Sequence, residues 1–289
     1  MTLLRRLGAI AVLIFVSTSH VRAADPAPGK LTEDIVYAKV GDRELKLDMM
    51  VPGEGEGPFP ALIVIHGGAW RAGNKKDVRF VMEEAAKRGY VAISPSYRFC
   101  PTDVFPAQVH DVKAAVRWLR TNAKAHKVNP DKLGATGFSA GGHLALMLGV
   151  TGPDDGLEGD VPAGSPSSRV QAVVNYFGPT ELDASDIPAV SQPLVRDFIG
   201  GTLSEKAKEV KAASPISYVT KDDPAILTFQ GTKDPLVPHT QATKLADAMT
   251  AVGVTGRVEL MVGAGHGWNG LELTHTIDES FKFFDRYLK

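Results

Sequence analysis

The chain has 289 residues, of which 44% are apolar and 22% charged, a balance that excludes a disordered chain. Its 32 Lys and Arg nearly cancel its 33 Asp and Glu, so it has no basic field to hold a nucleic-acid backbone or an anionic membrane. Cys100 is its one cysteine, which rules out an internal disulfide and any cysteine-based metal site and leaves a partly buried thiol.

In chain order, Arg5 and Arg6 precede the apolar run Gly8 to Val16 and the small-residue pattern Val21-Arg22-Ala23. Residues 1–23 therefore read as an export signal, with a mature chain of residues 24–289 that is secreted or periplasmic. The apolar run is far shorter than the roughly 20 residues a spanning helix needs, so no stable membrane anchor is expected after its removal. The roughly 266 residues that remain can bury about three-quarters of their unfolded surface, enough for one domain.

Ile35 to Val40 and Leu45 to Val51 flank Gly41-Asp42-Arg43 and predict an opening antiparallel hairpin. Short runs rich in Val, Ile, Leu and Ala follow at Ala61 to Ile65, Val91 to Ser94, Leu133 to Phe138, Val170 to Tyr176, Ala225 to Phe229 and Arg257 to Val262. Each is bounded by Gly, Pro or Asp and reads as a buried strand. Between them, helices are predicted over Asp77 to Arg88, Ala107 to Ala125, Ala140 to Val150, Thr240 to Val252 and Thr274 to Leu288. Strand and helix alternate, which predicts an α/β fold with about eight strands, mostly parallel, and helices on both faces. Thr151 to Ser168 and Gly178 to Asp223 break the rhythm and read as loops or a small lid, the second with two short helices.

Chemistry concentrates at strand ends. Gly137-Phe138-Ser139-Ala140-Gly141 is a GxSxG pattern between a predicted strand and a predicted helix, the context in which a serine stands exposed on a sharp turn. A serine hydroxyl is a weak nucleophile and needs an imidazole as base and a carboxylate to orient that imidazole. His266 follows the last strand in a run of glycines, at the edge where such groups gather. Asp234, just past the strand Ala225 to Phe229, is preferred as the acid; Asp183 is its rival, and Asp222 and Asp223 precede the strand and sit at the wrong end. Gly68, Ala69 and Ala140 are the expected oxyanion donors, because small residues after the strand Ala61 to Ile65 let backbone N–H groups converge on the serine. Trp70, Phe138, Phe177 and Trp268 flank this site, either walling an acyl or aromatic pocket or belonging to the core. His143, one helical turn after Ser139, reads as a packed side chain. The remaining histidines show no metal-ligand grouping and no HExxH, and no glycine-rich loop has the lysine or spacing of a nucleotide site, so neither metal nor cofactor is expected.

These motifs occur in a familiar order. His66-Gly67-Gly68-Ala69-Trp70, Ser96-Tyr97-Arg98, Phe105-Pro106, His110-Asp111, Arg117-Trp118-Leu119-Arg120, GFSAGGHLA, GTKDPLVP and GAGHGW together resemble the alpha/beta-hydrolase superfamily. Within it the sequence is similar to small esterases related to hormone-sensitive lipase and to bacterial feruloyl and acetyl-xylan esterases, over residues 33 to 288. The resemblance implies Ser139 as nucleophile, Asp234 as acid and His266 as base, with the HGGAW loop and Ala140 as oxyanion hole. It suggests Arg98 and Asp111 as a buried structural pair. Where Ala69 stands many lipase-like relatives have a third glycine, a change that keeps the N–H. The implied activity is hydrolysis of short-chain or aromatic acyl esters, on small molecules or on plant cell-wall polysaccharide. Two other readings are a peptidase of the prolyl-oligopeptidase type, for whose usual propeller this chain has no room, and a non-catalytic binding module on the same fold.

Overall fold

A computed structural model describes residues 29–289, so the export signal read at residues 1–23 lies outside the described residues. Eight strands form one sheet in the order β1-β2-β4-β3-β5-β6-β7-β8, where β1 is Lys30–Val40, β2 Arg43–Val51, β3 Phe59–Ile65, β4 Val91–Pro95, β5 Val128–Phe138, β6 Ala172–Tyr176, β7 Ala225–Gly231 and β8 Gly256–Met261. β1 and β2 form the expected hairpin, turning at Gly41 with φ 57°, and β2 pairs antiparallel with β4. All other neighbours are parallel. β1 starts five residues before its predicted beginning because its outer face is exposed at the sheet edge and two bulges interrupt its register, both of which blur alternation.

β4, β6 and β7 are buried at every position, which is why their sequences read as continuous apolar runs. Alternate side chains leave the sheet on opposite sides. Ile63, Ile65, Ile93 and Val173 pack under α2 (Ala107–Thr121), α3 (Ala140–Val150) and α6 (Thr240–Ala251). Leu62, Val64, Val174 and Leu227 pack under α1 (Arg79–Lys87) and α7 (Gly270–Leu288). α7 begins one turn earlier than its apolar spacing predicts. α3 is buried all round, as a helix apolar on every face must be.

The two irregular stretches differ. Residues 151–168 are fastened to α2: Lys113, fully buried, and Arg117 both pair with Glu158, and Lys113 also bonds the Thr151 carbonyl and Ser168. Residues 178–223 carry the two short helices, α4 (Gln192–Ile199) and α5 (Ala207–Ala212), and lie over the carboxyl ends of the strands. Arg98 and Asp111 form the expected pair, with Asp111 buried, Arg98 half-buried and Arg98 Nη2 2.8 Å from Asp111 Oδ1. Cys100 is more buried than expected, and that burial pushes its thiol up to about 11. No helix among the described residues is long and apolar enough to cross a membrane.

Candidate active site

Ser139 occupies the turn between β5 and α3 with φ 55° and ψ −119°, a conformation rare for a residue with a side chain and held here by its surroundings. Its N–H donates to the Tyr176 carbonyl (2.8 Å), and its own carbonyl accepts from the His143 N–H. The glycines on either side are required by contact. A Cβ on Gly141 would stand 2.1 Å from the Ile65 carbonyl oxygen, and one on Gly137 would stand 2.3 Å from the Gly141 oxygen. Strand and helix backbones can approach this closely only without side chains.

His266 Nε2 lies 2.8 Å from Ser139 Oγ, and His266 Nδ1 lies 2.7 Å from Asp234 Oδ2. An ionised carboxylate only accepts, so Nδ1 carries the proton and Nε2 is left to accept the serine hydroxyl. The Asp234 side chain is fully buried. Burial opposes its charge, but the His266 N–H and the backbone N–H groups of Val237 and Leu236 outweigh that, and the carboxyl is held below its usual value. The rival Asp183 is exposed and belongs to no such chain; Asp223 pairs with Arg169 at the opposite edge of the sheet.

Gly68, Ala69 and Ala140 line the same cavity as Ser139 and His266. The loop turns sharply there: Gly68 has φ 113°, Ala69 52° and Trp70 58°, and the Gly68 carbonyl accepts from the N–H groups of Arg71 and Ala72. Ala140 is the first residue of α3, so its N–H has no partner within the helix and points out of the positive end of the helix dipole. The cavity measures about 340 Å³ and is walled by Leu182, Ile187, Leu194, Val195, Leu236 and Val237, most of them from the 178–223 segment.

The aromatic residues divide between the two readings. Trp70 and Phe177 line the cavity while buried in the core, and Phe138 and Trp268 line a second cleft behind Phe177.

Gln230 escaped the sequence reading, as did the particular contacts that Phe177 and His143 make. Gln230 donates to Asp234 Oδ2 (3.0 Å) and to the Val237 carbonyl (2.9 Å), steadying the acid's loop. Phe177, whose φ is 44°, sets its ring edge-on to the His266 imidazole at 4.7 Å. His143 is packed, as expected, but it is also bonded at both nitrogens: Trp70 Nε1–H donates to Nδ1 (3.1 Å), and Nε2–H donates to the Ala213 carbonyl (2.7 Å). The indole also stacks on Phe198 of α4 at 4.2 Å. The contacts of Phe177 and His143 join residues 70 or more positions apart and leave no local signal, whereas Gln230 lies only four positions before Asp234 and belongs to no motif.

The sheet order and the strand-to-helix elbow define an alpha/beta hydrolase. The chain belongs, more narrowly, to the BD-FAE family, whose profile matches residues 47–249. Esterase LipC of Mycobacterium tuberculosis is 32% identical over 225 residues, covering 76% of this chain and 55% of LipC. The chain thus spans about half the length of the curated relatives it matches. Among solved structures, a truncated carbohydrate esterase from gut microbiota superposes with a TM-score of 0.79 at 30% identity, covering 91% of this chain and 99% of its own. Propionate-bound esterase 2 of Thermogutta terrifontis superposes with a TM-score of 0.75 at 27% identity, covering 91% of this chain and 94% of its own. The same esterase is also known phosphorylated by paraoxon.

Proposed function

We propose that the protein is a serine carboxylester hydrolase in which Ser139 is the nucleophile, His266 the base and Asp234 the orienting acid. The observation that carries this reading is the unbroken hydrogen-bond chain from Ser139 Oγ through His266 to the buried carboxylate of Asp234, opening on an apolar cavity. Ser139 Oγ attacks the ester carbonyl as its proton passes to His266 Nε2. The carbonyl oxygen becomes an oxyanion held by the N–H groups of Gly68, Ala69 and Ala140, each donor being worth ~100- to 1000-fold in rate. The C–O bond to the alcohol then breaks, and His266 returns the proton to the departing oxygen. Water then attacks the acyl-serine as its proton passes to His266, the bond to Ser139 Oγ breaks, and Oγ takes that proton back as the acid leaves.

The small apolar cavity suits short-chain or aromatic acyl groups. Two points support acetyl or feruloyl groups on plant cell-wall polysaccharide as the natural esters: the export signal, which would place the protein in the periplasm or outside the cell, and the likeness to a carbohydrate esterase.

Ser139→Ala should lower kcat/KM on a short-chain ester by ~10⁴-fold or more, since triad members act as a unit. A fluorophosphonate should add one adduct, mapping to Ser139. Undiminished turnover in the variant, or an adduct elsewhere, would refute the assignment. Rates over acetyl, butyryl, octanoyl and feruloyl esters and an acetylated xylan test the substrate class, and a preference for octanoyl would contradict it.

A further inference from the structure

The proposed oxyanion hole is built from two elements. Gly68 and Ala69 belong to the loop after β3, and Ala140 to the start of α3. Three donors converge on one oxygen only while the two elements keep a fixed spacing, since a hydrogen bond weakens steeply once its length or angle drifts. Close backbone packing fixes the first part of the loop: a Cβ on Gly67 would stand 2.8 Å from the Phe138 oxygen, and one on Gly141 2.5 Å from the His66 oxygen. The donors lie beyond that contact. There the chain passes through three successive positive φ values, at Gly68, Ala69 and Trp70. For the two residues with side chains, such a conformation persists only where the surroundings over-determine it.

Trp70 supplies that constraint. Its carbonyl accepts from the Cys100 N–H (3.0 Å), and its indole N–H reaches Nδ1 of His143 on α3 (3.1 Å), a hydrogen bond between the loop and the helix that carries the third donor. His143 is fully buried, and its own N–H donates to the Ser139 carbonyl (3.0 Å), which anchors it in the elbow. An indole N–H only donates and a carbonyl only accepts, so Trp70 at Nδ1 and the Ala213 carbonyl at Nε2 (2.7 Å) demand the same tautomer. The imidazole is thus held from both sides, by the loop and by the 178–223 segment. Phe198 of that segment closes the cluster, its ring stacked on the indole (4.2 Å, 12°) and edge-on to the imidazole (5.5 Å, 88°).

Neither His143 nor Ala213 nor Phe198 lines the acyl cavity, whereas Trp70 does. His143 therefore reaches the reaction through Trp70 and not by touching the substrate. Resting on the esterase reading above, we infer that His143 is a positioning residue for the oxyanion hole: through Trp70 it keeps the N–H groups of Gly68 and Ala69 in register with that of Ala140. A histidine that only filled space would matter to stability alone. One that sets the hole matters to the transition state, where the oxygen carries its charge, far more than to the bound ester, where it does not.

The test combines short-chain ester kinetics on the full chain with the affinities of two ligands, an alkyl trifluoromethyl ketone and the secondary alcohol of the same skeleton. The ketone takes Ser139 Oγ at its carbonyl carbon and leaves an oxyanion in the hole, while the alcohol fills the site without one. His143→Leu removes both imidazole bonds at similar volume. It should lower kcat at least ~10-fold, part of the ~100- to 1000-fold that a lost donor costs, with KM within about twofold of the wild type. Ketone affinity should fall by a similar factor and alcohol affinity should hold. His143→Gln, which keeps a donor and an acceptor, should recover most of the loss. Trp70→Phe, which keeps a ring against Phe198 but drops the N–H, should lose as much in kcat, and the double variant no more than the larger single loss, because both cut one link. Should His143→Leu fail to fold, the Trp70→Phe kcat and ketone affinity decide. An undiminished kcat in the folded variant, equal losses for ketone and alcohol, or multiplying losses in the double variant overturn the inference and leave the esterase intact. A wild type that turns over no ester would defeat the esterase reading, and this inference with it.

Discussion

Acidification from pH 7 to pH 5 is expected to remove about 2 kcal/mol of stability through His143 alone. Complete burial holds this imidazole neutral, lowering its pKa from 6.5 to about 4 even though the Ala213 carbonyl opposes the shift. Between those values the unfolded chain binds a proton that the folded chain refuses. The contribution is therefore fully present above pH 6.5 and is lost as pH falls through that window towards 4. At ~1.4 kcal/mol per pH unit its full size is about 3 kcal/mol, of which roughly two-thirds has gone by pH 5. Protonation also turns Nδ1 from acceptor to donor, so it can no longer receive the Trp70 N–H. The assay is guanidinium unfolding followed by tryptophan fluorescence at pH 7, 6 and 5, for the wild type and for His143→Gln, which keeps a donor and an acceptor and does not titrate. Carboxylates such as Asp234 titrate in both chains and cancel in the difference. If His143→Gln loses as much stability between pH 7 and 5 as the wild type, the reasoning fails.

Further consequences can be read directly. Asp234→Asn should lower kcat by ~10⁴-fold while the fold is retained, because it removes the charge that fixes the Nδ1–H form of His266; a loss below tenfold would point to another acid. Gly141→Ala should destabilise the protein by about 1–3 kcal/mol or prevent its folding, since the new methyl meets the Ile65 carbonyl; a denaturation midpoint equal to the wild type's would contradict that contact. Val195→Phe should narrow the acyl cavity and depress kcat/KM for octanoyl esters far more than for acetyl esters; a uniform loss would show that the chain binds elsewhere. Gln230→Leu should lower kcat more than it raises KM, because Gln230 bonds the Asp234 carboxylate and does not itself line the cavity, meeting its wall only at the Val237 backbone carbonyl; an effect on KM alone would remove it from the supporting group.

Much of the architecture was legible in the sequence because its determinants are local. A strand buried on both faces has to be a short run of Val, Ile, Leu and Ala, which is how β4, β6 and β7 read. The elbow is legible through its GxSxG spacing, although only Gly137 answers to a contact within the turn, the Gly141 oxygen, while Gly141 answers to the Ile65 carbonyl of β3. Edge elements were blurred: β1 carries bulges and an exposed face, so its first five residues show no clean alternation. His266 and Asp234 stood out as candidates because sheet geometry gathers reacting groups at strand ends. The sequence already preferred Asp234 to Asp183, but the contact of its carboxylate with His266 was decided by the packing that buries the Asp234 side chain and leaves Asp183 exposed. The grip of His143 on Trp70 and Ala213, and the contact of Phe177 with His266, were also decided only by packing. Each joins residues far apart in the chain, and a contact closed by packing across such distances imposes no spacing rule that a linear sequence could display.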